Sequence, residues 1–142
     1  MHRAEAIFNQ VVTTITGLVT TGSRVHKSRV YAVDKFPAIN VFLGSEVNPQ
    51  YSSAYIDSDL NITTKILVKI TEDSLVTDLL KIRREIHVAM MADPTLGLSY
   101  VIDCLPVEMS EPQISDEQET PTATVDIKWL IRYRTPINDP GV

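Results

Sequence analysis

The chain has 142 residues, with 18 acidic and 13 basic side chains and a net charge of −5. That length suits one domain spanning residues 1–142, able to bury roughly two-thirds of its unfolded surface. Hydrophobic residues at 44% and charged residues at 22% are globular usage rather than disorder, and the acidic balance argues against a dedicated DNA binder.

Residues 2–19 place Ala4, Ile7, Phe8, Val11, Val12, Ile15 and Leu18 or Val19 at steps of three and four, which predicts an amphipathic helix. Threonines at 13, 14 and 16 are poor helix formers, and Gly22 is the latest plausible stop. Two strands follow, residues 24–33 and 38–43, read as a hairpin across a short link carrying Phe36 and Pro37. Pro37 cannot donate to a ladder, so it belongs at a strand's entry. Residues 45–59 contain Asn48-Pro49 and several serines, which predicts a long loop or arm. Its Tyr51, Tyr55 and Ile56 either fold back onto their own sheet or present a partner surface.

Residues 60–71 alternate, with Leu60, Ile62, Thr64, Ile66, Val68 and Ile70 on one side, as a strand with one buried face should. Leu75, Leu79, Ile82, Ile86 and Met90 then form a helical stripe over residues 75–91, capped by Asp73 or Ser74 and ended before Pro94. Lys81, Arg83, Arg84 and Glu85 decorate its other faces. Residues 99–109 read as a strand with Tyr100, Ile102 and Cys104 on one face and a bend or sheet edge at Pro106. Residues 108–121 form an acidic, aperiodic loop. Residues 123–134 alternate again, with Ala123, Val125, Ile127, Trp129, Ile131 and Tyr133 on one face, and residues 135–142 read as an extended tail. The order is α-β-β-β-α-β-β. It predicts an α+β fold: an antiparallel or mixed sheet of four or five strands with two helices packed on one face.

No chemistry is concentrated anywhere in the chain. His2, His26 and His87 have no metal-ligand spacing, and Cys104, the single cysteine, has no CxxC partner. A lone cysteine makes no intramolecular disulfide and suits a reducing compartment as a buried thiol. There is no nucleophile elbow and no glycine-rich phosphate loop, so a non-enzyme without metal or cofactor is expected. No segment has the length of a membrane span or the apolar core of a secretion signal, and synthesis in the cytoplasm follows. The remaining signal is surface charge. Arg24, Lys27 and Arg29, with Lys128, Arg132 and Arg134 on the last strand, would make a positive stripe if the two strands were neighbours. Such a stripe is either a solvated face or an interface for an acidic neighbour.

Three stretches carry a resemblance: R-V-x-x-S-R-V-Y at 24–31, F-P-A-I-x-V-F at 36–42, and W-L-I-R-Y-R-T-P at 129–136. With the order of elements between them, they resemble the tail-terminator proteins of long-tailed bacteriophages, the minor tail protein U family. The resemblance implies a virion structural protein that forms a homo-oligomeric ring, typically of six copies, on the head-proximal end of the tail. The ring stops polymerisation of the tail tube protein and offers a docking surface to the head–tail connector protein, with DNA passing only through its lumen. The family brings no catalytic residues, so Arg24, Lys27, Arg29, Tyr51, Tyr55, Arg132 and Arg134 are expected as interface positions. Alternative readings are a head–tail joining or tail-completion protein of the neck, and a cytosolic protein-binding adaptor.

Overall fold

A computed structural model of the chain describes residues 1–29, 35–70, 74–115 and 121–141. It is an α+β fold with two helices, α1 (Arg3–Ile15) and α2 (Leu75–Met91). The strands are β1 (Val25–Lys27), β2 (Ala38–Tyr51), β3 (Tyr55–Lys69), β4 (Val101–Met109), β5 (Gln113–Ser115) and β6 (Thr122–Pro136). All six belong to one mixed sheet in the order β1-β2-β3-β6-β4, with β5 also on β6. β3 and β6 are its spine, paired antiparallel without a break from Tyr55↔Pro136 to Lys69↔Thr122.

The alternation read from the sequence settles which face of that spine is buried. Leu60, Ile62, Thr64, Ile66 and Val68 of β3 and Ala123, Val125, Ile127, Trp129, Ile131 and Tyr133 of β6 are all buried. They form one continuous core with Ile7, Val11 and Ile15 of α1 and Leu79, Ile82, Ile86 and Met90 of α2. The opposite face carries Asn61, Thr63, Lys65 and Lys69 on β3 and Thr124, Asp126, Lys128, Arg132 and Arg134 on β6, with Leu67 and Leu130 half-buried among them.

Several boundaries depart from expectation, each for a local reason. α1 ends at Ile15 because Thr13, Thr14 and Thr16 turn their hydroxyls back onto the carbonyls of Asn9, Gln10 and Val12 and Gly17 follows at φ 89°. Val19 is consequently 93% exposed rather than part of a helical stripe. β1 stops at Lys27, since Ser28 adopts φ 49°, and residues 30–33 of the expected strand lie outside the described residues. β1 also pairs parallel with β2, Val25↔Ile39 to Lys27↔Val41, so the two do not form a hairpin.

The expected loop at 45–59 is strand. β2 runs on to Tyr51 and turns at residues 52–54 into β3, with its pairing carried past Gly44 and Pro49 by two register shifts. Gly44 is required there: a Cβ would stand 2.8 Å from the backbone oxygen of Asn61. β4 is bulged between Val101 and Asp103, so Val101 and Cys104 are buried while Ile102 points out, and the expected Tyr100-Ile102-Cys104 face does not exist. Pro106 sits beside a second shift on this edge strand. Within the acidic stretch 108–121, Gln113–Ser115 pairs with β6 as β5, and residues 116–120 lie outside the described residues. The tail is not extended. β6 continues to Pro136, and the chain then turns so that Pro140 accepts the Arg3 N–H at 2.9 Å.

Candidate interaction surface

The expected basic stripe dissolves in the strand order. β1 and β6 are separated by β2 and β3, so Arg24, Lys27 and Arg29 do not adjoin Arg132 and Arg134. Each group is also engaged. Arg24 donates to the carbonyls of Pro37 at 2.7 Å and Thr20 at 2.9 Å, which makes it a brace between the loop after α1 and the entry of β2. Lys27 reaches Asn9 at 3.2 Å, and the Arg29 backbone exchanges hydrogen bonds with the Asn40 side chain.

On β6, Arg132 forks onto Asp59 at 2.7 and 3.2 Å, and Arg134 onto Asp57 at 2.7 and 3.1 Å. These are cross-strand neighbours, Asp59↔Arg132 and Asp57↔Arg134. The hydrogen bond from Arg134 holds the Asp57 carboxyl below its ordinary range, and the aspartates raise both guanidiniums in return. Lys65–Asp126 and Lys128–Glu108 continue the ladder. Cross-strand pairing thus compensates most of the outer face, while Lys69 at its end has no acid partner among the described residues and stands 5.5 Å over the Phe36 ring. A cluster of positive charge without an acid partner lies on α2, where Lys81, Arg83 and Arg84 are exposed and join no ion pair among the described residues. Glu85, their sequence neighbour, is occupied by the backbone N–H and hydroxyl of Thr20. Three cations within four residues was the available signal for this patch.

Tyr51 and Tyr55 are surface residues at 82% and 51% exposure, and Arg134 lies 5.4 Å over the Tyr55 ring. They flank the turn between β2 and β3, at the end of a run in which all nine residues 43–51 are exposed. Leu43 and Val47 stand open in that run. It is nonetheless tied down on its inward side. Tyr133, whose phenol is pushed up by burial and by Glu46, donates to the Glu46 carboxylate, and Ser58 donates to Asn48 at 2.6 Å. Between this strand and α1 opens a groove of about 660 Å³, lined by Phe8, Lys27, Leu43, Glu46 and Leu60 among others. A second set of exposed apolar side chains, Ile102, Leu105, Val107 and Ile114, lies on β4 and β5 at the other end of the sheet.

No protein-family model and no curated protein matches the chain. Among the described residues no group of three His, Cys, Asp or Glu is placed to hold a metal ion, and no helix is long and apolar enough to cross a membrane. Cys104 is fully buried, and desolvation followed by the nearby Asp103 charge pushes its thiol up to about 12.

Proposed function

We propose that the chain is a virion structural protein of the tail-terminator kind: a ring, typically six-fold in the proteins it resembles, that caps the head-proximal end of a phage tail tube and receives the head connector. The observation that carries this reading is the exposed strand 43–51. Leu43, Val47 and Tyr51 stand exposed on a paired strand of the sheet, and the adjoining Tyr55 is half exposed beside Arg134. Exposed aromatic and aliphatic side chains on a preformed strand are the composition of an assembly surface rather than of a solvated loop. The mixed sheet and helix order agree with the order of elements on which the resemblance rests. The reading also absorbs Tyr51 and Tyr55 as interface positions, whereas Arg24, Arg132 and Arg134 serve their own fold.

Native mass measurement of the purified chain, alone and mixed with tail tubes, tests it. A closed ring of about six subunits, and tubes that stop growing when the chain is added, are the expected outcomes. A ring that leaves tube length unchanged would favour a neck-joining protein instead. A chain that stays monomeric at high concentration and in the presence of tubes sinks the proposal.

A further inference from the structure

The sheet has two strand edges that nothing among the described residues pairs with: β2 over residues 43–51 and the outer edge of β4. They lie at opposite ends of the sheet, so they cannot satisfy one another within one chain. The part of the β2 edge left unpaired by the described residues is nine residues long, and β4 is also nine. Three successive antiparallel pairings, β2 with β3, β3 with β6 and β6 with β4, make β2 and β4 run in opposite directions. The registers also put them at one level. Leu43 stands level with Pro106 through Ile62 and Trp129, Glu46 with Cys104 through Leu60 and Ile131, and Val47 with Asp103 through Asp59 and Arg132.

We infer that copies associate head to tail, with the free edge of β2 in one copy adding antiparallel to β4 of the next, so that the sheet continues from subunit to subunit. A neighbour in the same orientation sets residues 43–47 against residues 103–106, the better-bonded of the two pairing modes. Both edges carry exposed apolar side chains to pack across the junction: Leu43 and Val47 on one, Ile102, Leu105 and Val107 on the other. On the outer face Arg132 is paired with Asp59, and Asp103 of the β4 edge adds a second carboxylate near the same guanidinium. Pro49 and Pro106 each remove a donor, and the bulges interrupt both ladders. The junction is therefore short and selective instead of a template for indefinite pairing. A contact between two different patches of the same chain is heterologous and must either close into a ring or propagate. This inference rests on the ring reading above and names the surfaces that would close it.

The test uses full-length single variants Val47→Cys and Asp103→Cys, the pair that the register sets opposite each other, under mild oxidation, each first checked for an unchanged unfolding midpoint. Native Cys104 is buried, so the wild-type chain supplies the background. Covalent dimer should form when Val47→Cys is mixed with Asp103→Cys, and should stay at background for either variant alone. The double variant Val47→Cys/Asp103→Cys should give a ladder ending at the ring size. Dimer from Val47→Cys alone would mean an arm-to-arm, two-fold contact and overturn the inference. Rings by native mass with no cross-link in the mixture would overturn it too, leaving the ring reading standing. A chain monomeric by native mass refutes both.

Discussion

The hydroxyl of Thr64 sits at the centre of the core, and its removal is the sharpest test of how that core is satisfied. Thr64 is fully buried, accepts a hydrogen bond from Trp129 Nε1 at 3.2 Å and donates to the Ile127 carbonyl at 3.3 Å. Trp129 is 1% exposed, so its N–H has no water to turn to. Thr64→Val keeps the shape and deletes the acceptor, leaving a buried donor orphaned. The expected loss is about 1–3 kcal/mol, or roughly 2–4 °C in unfolding midpoint per kcal/mol for a chain of this size. Thr64→Ser, which keeps the hydroxyl and loses one buried methyl, should cost about 0.5–1.5 kcal/mol, as for other single-methyl deletions. Because Trp129 is the single tryptophan, its fluorescence during urea unfolding reports the transition in both variants. The deciding measurement is a double-mutant cycle followed by circular dichroism. In a Trp129→Phe background the orphan donor is gone, so Thr64→Val should cost less there by about 0.5–3 kcal/mol, the range for residues in contact. A coupling of zero would mean that the Trp129 N–H is satisfied some other way, and the account of this core would be wrong.

Further predictions follow from burial and charge. Ile82→Ala, at a site 1% exposed in the face of α2 that joins the core, should lose about 2–5 kcal/mol in denaturant unfolding; a loss under about half a kcal/mol would remove Ile82 from the core. Cys104, fully buried with its thiol pushed up to about 12, should resist alkylation in the native protein at pH 8 and react on unfolding; rapid modification of the folded chain would contradict its burial. Asp57 is held below its ordinary pKa by Arg134, so its stabilisation is present above the unfolded carboxylate range and lost as pH falls through the folded value. Asp57→Asn should accordingly lower the unfolding midpoint slightly at neutral pH, because the Arg134 side of the pair is about half exposed and screened by solvent. That difference should shrink to nothing in acid; one that grew on acidification would reverse the assignment.

Short-range periodicity was enough to determine the elements whose faces are strongly sided. The steps of four and three from Leu75 to Met90 specify α2 to the residue, and strict alternation specifies the buried sides of β3 and β6, because a side chain's direction in a helix or strand depends only on its place in the repeat. The proline at the entry of β2 and the edge position of β4 were legible for the same local reason. What the sequence could not determine was everything set by which strands meet. β1 and β2 look like a hairpin in one dimension and pair parallel in three, and residues 45–51 look like a loop until β3, backed by β6, supplies a partner for their backbone. The bulge at Ile102 breaks the period-two rule on which face assignment rests. The charges show this most plainly. Arg132 and Arg134 read as free positive charge because Asp59 and Asp57, their partners, are 73 and 77 positions away. The unpaired cations of α2 were in plain view, but only the folded chain shows that no carboxylate among the described residues reaches them. Charge compensation and free strand edges are properties of neighbours in space, and the sheet order alone decides who those neighbours are.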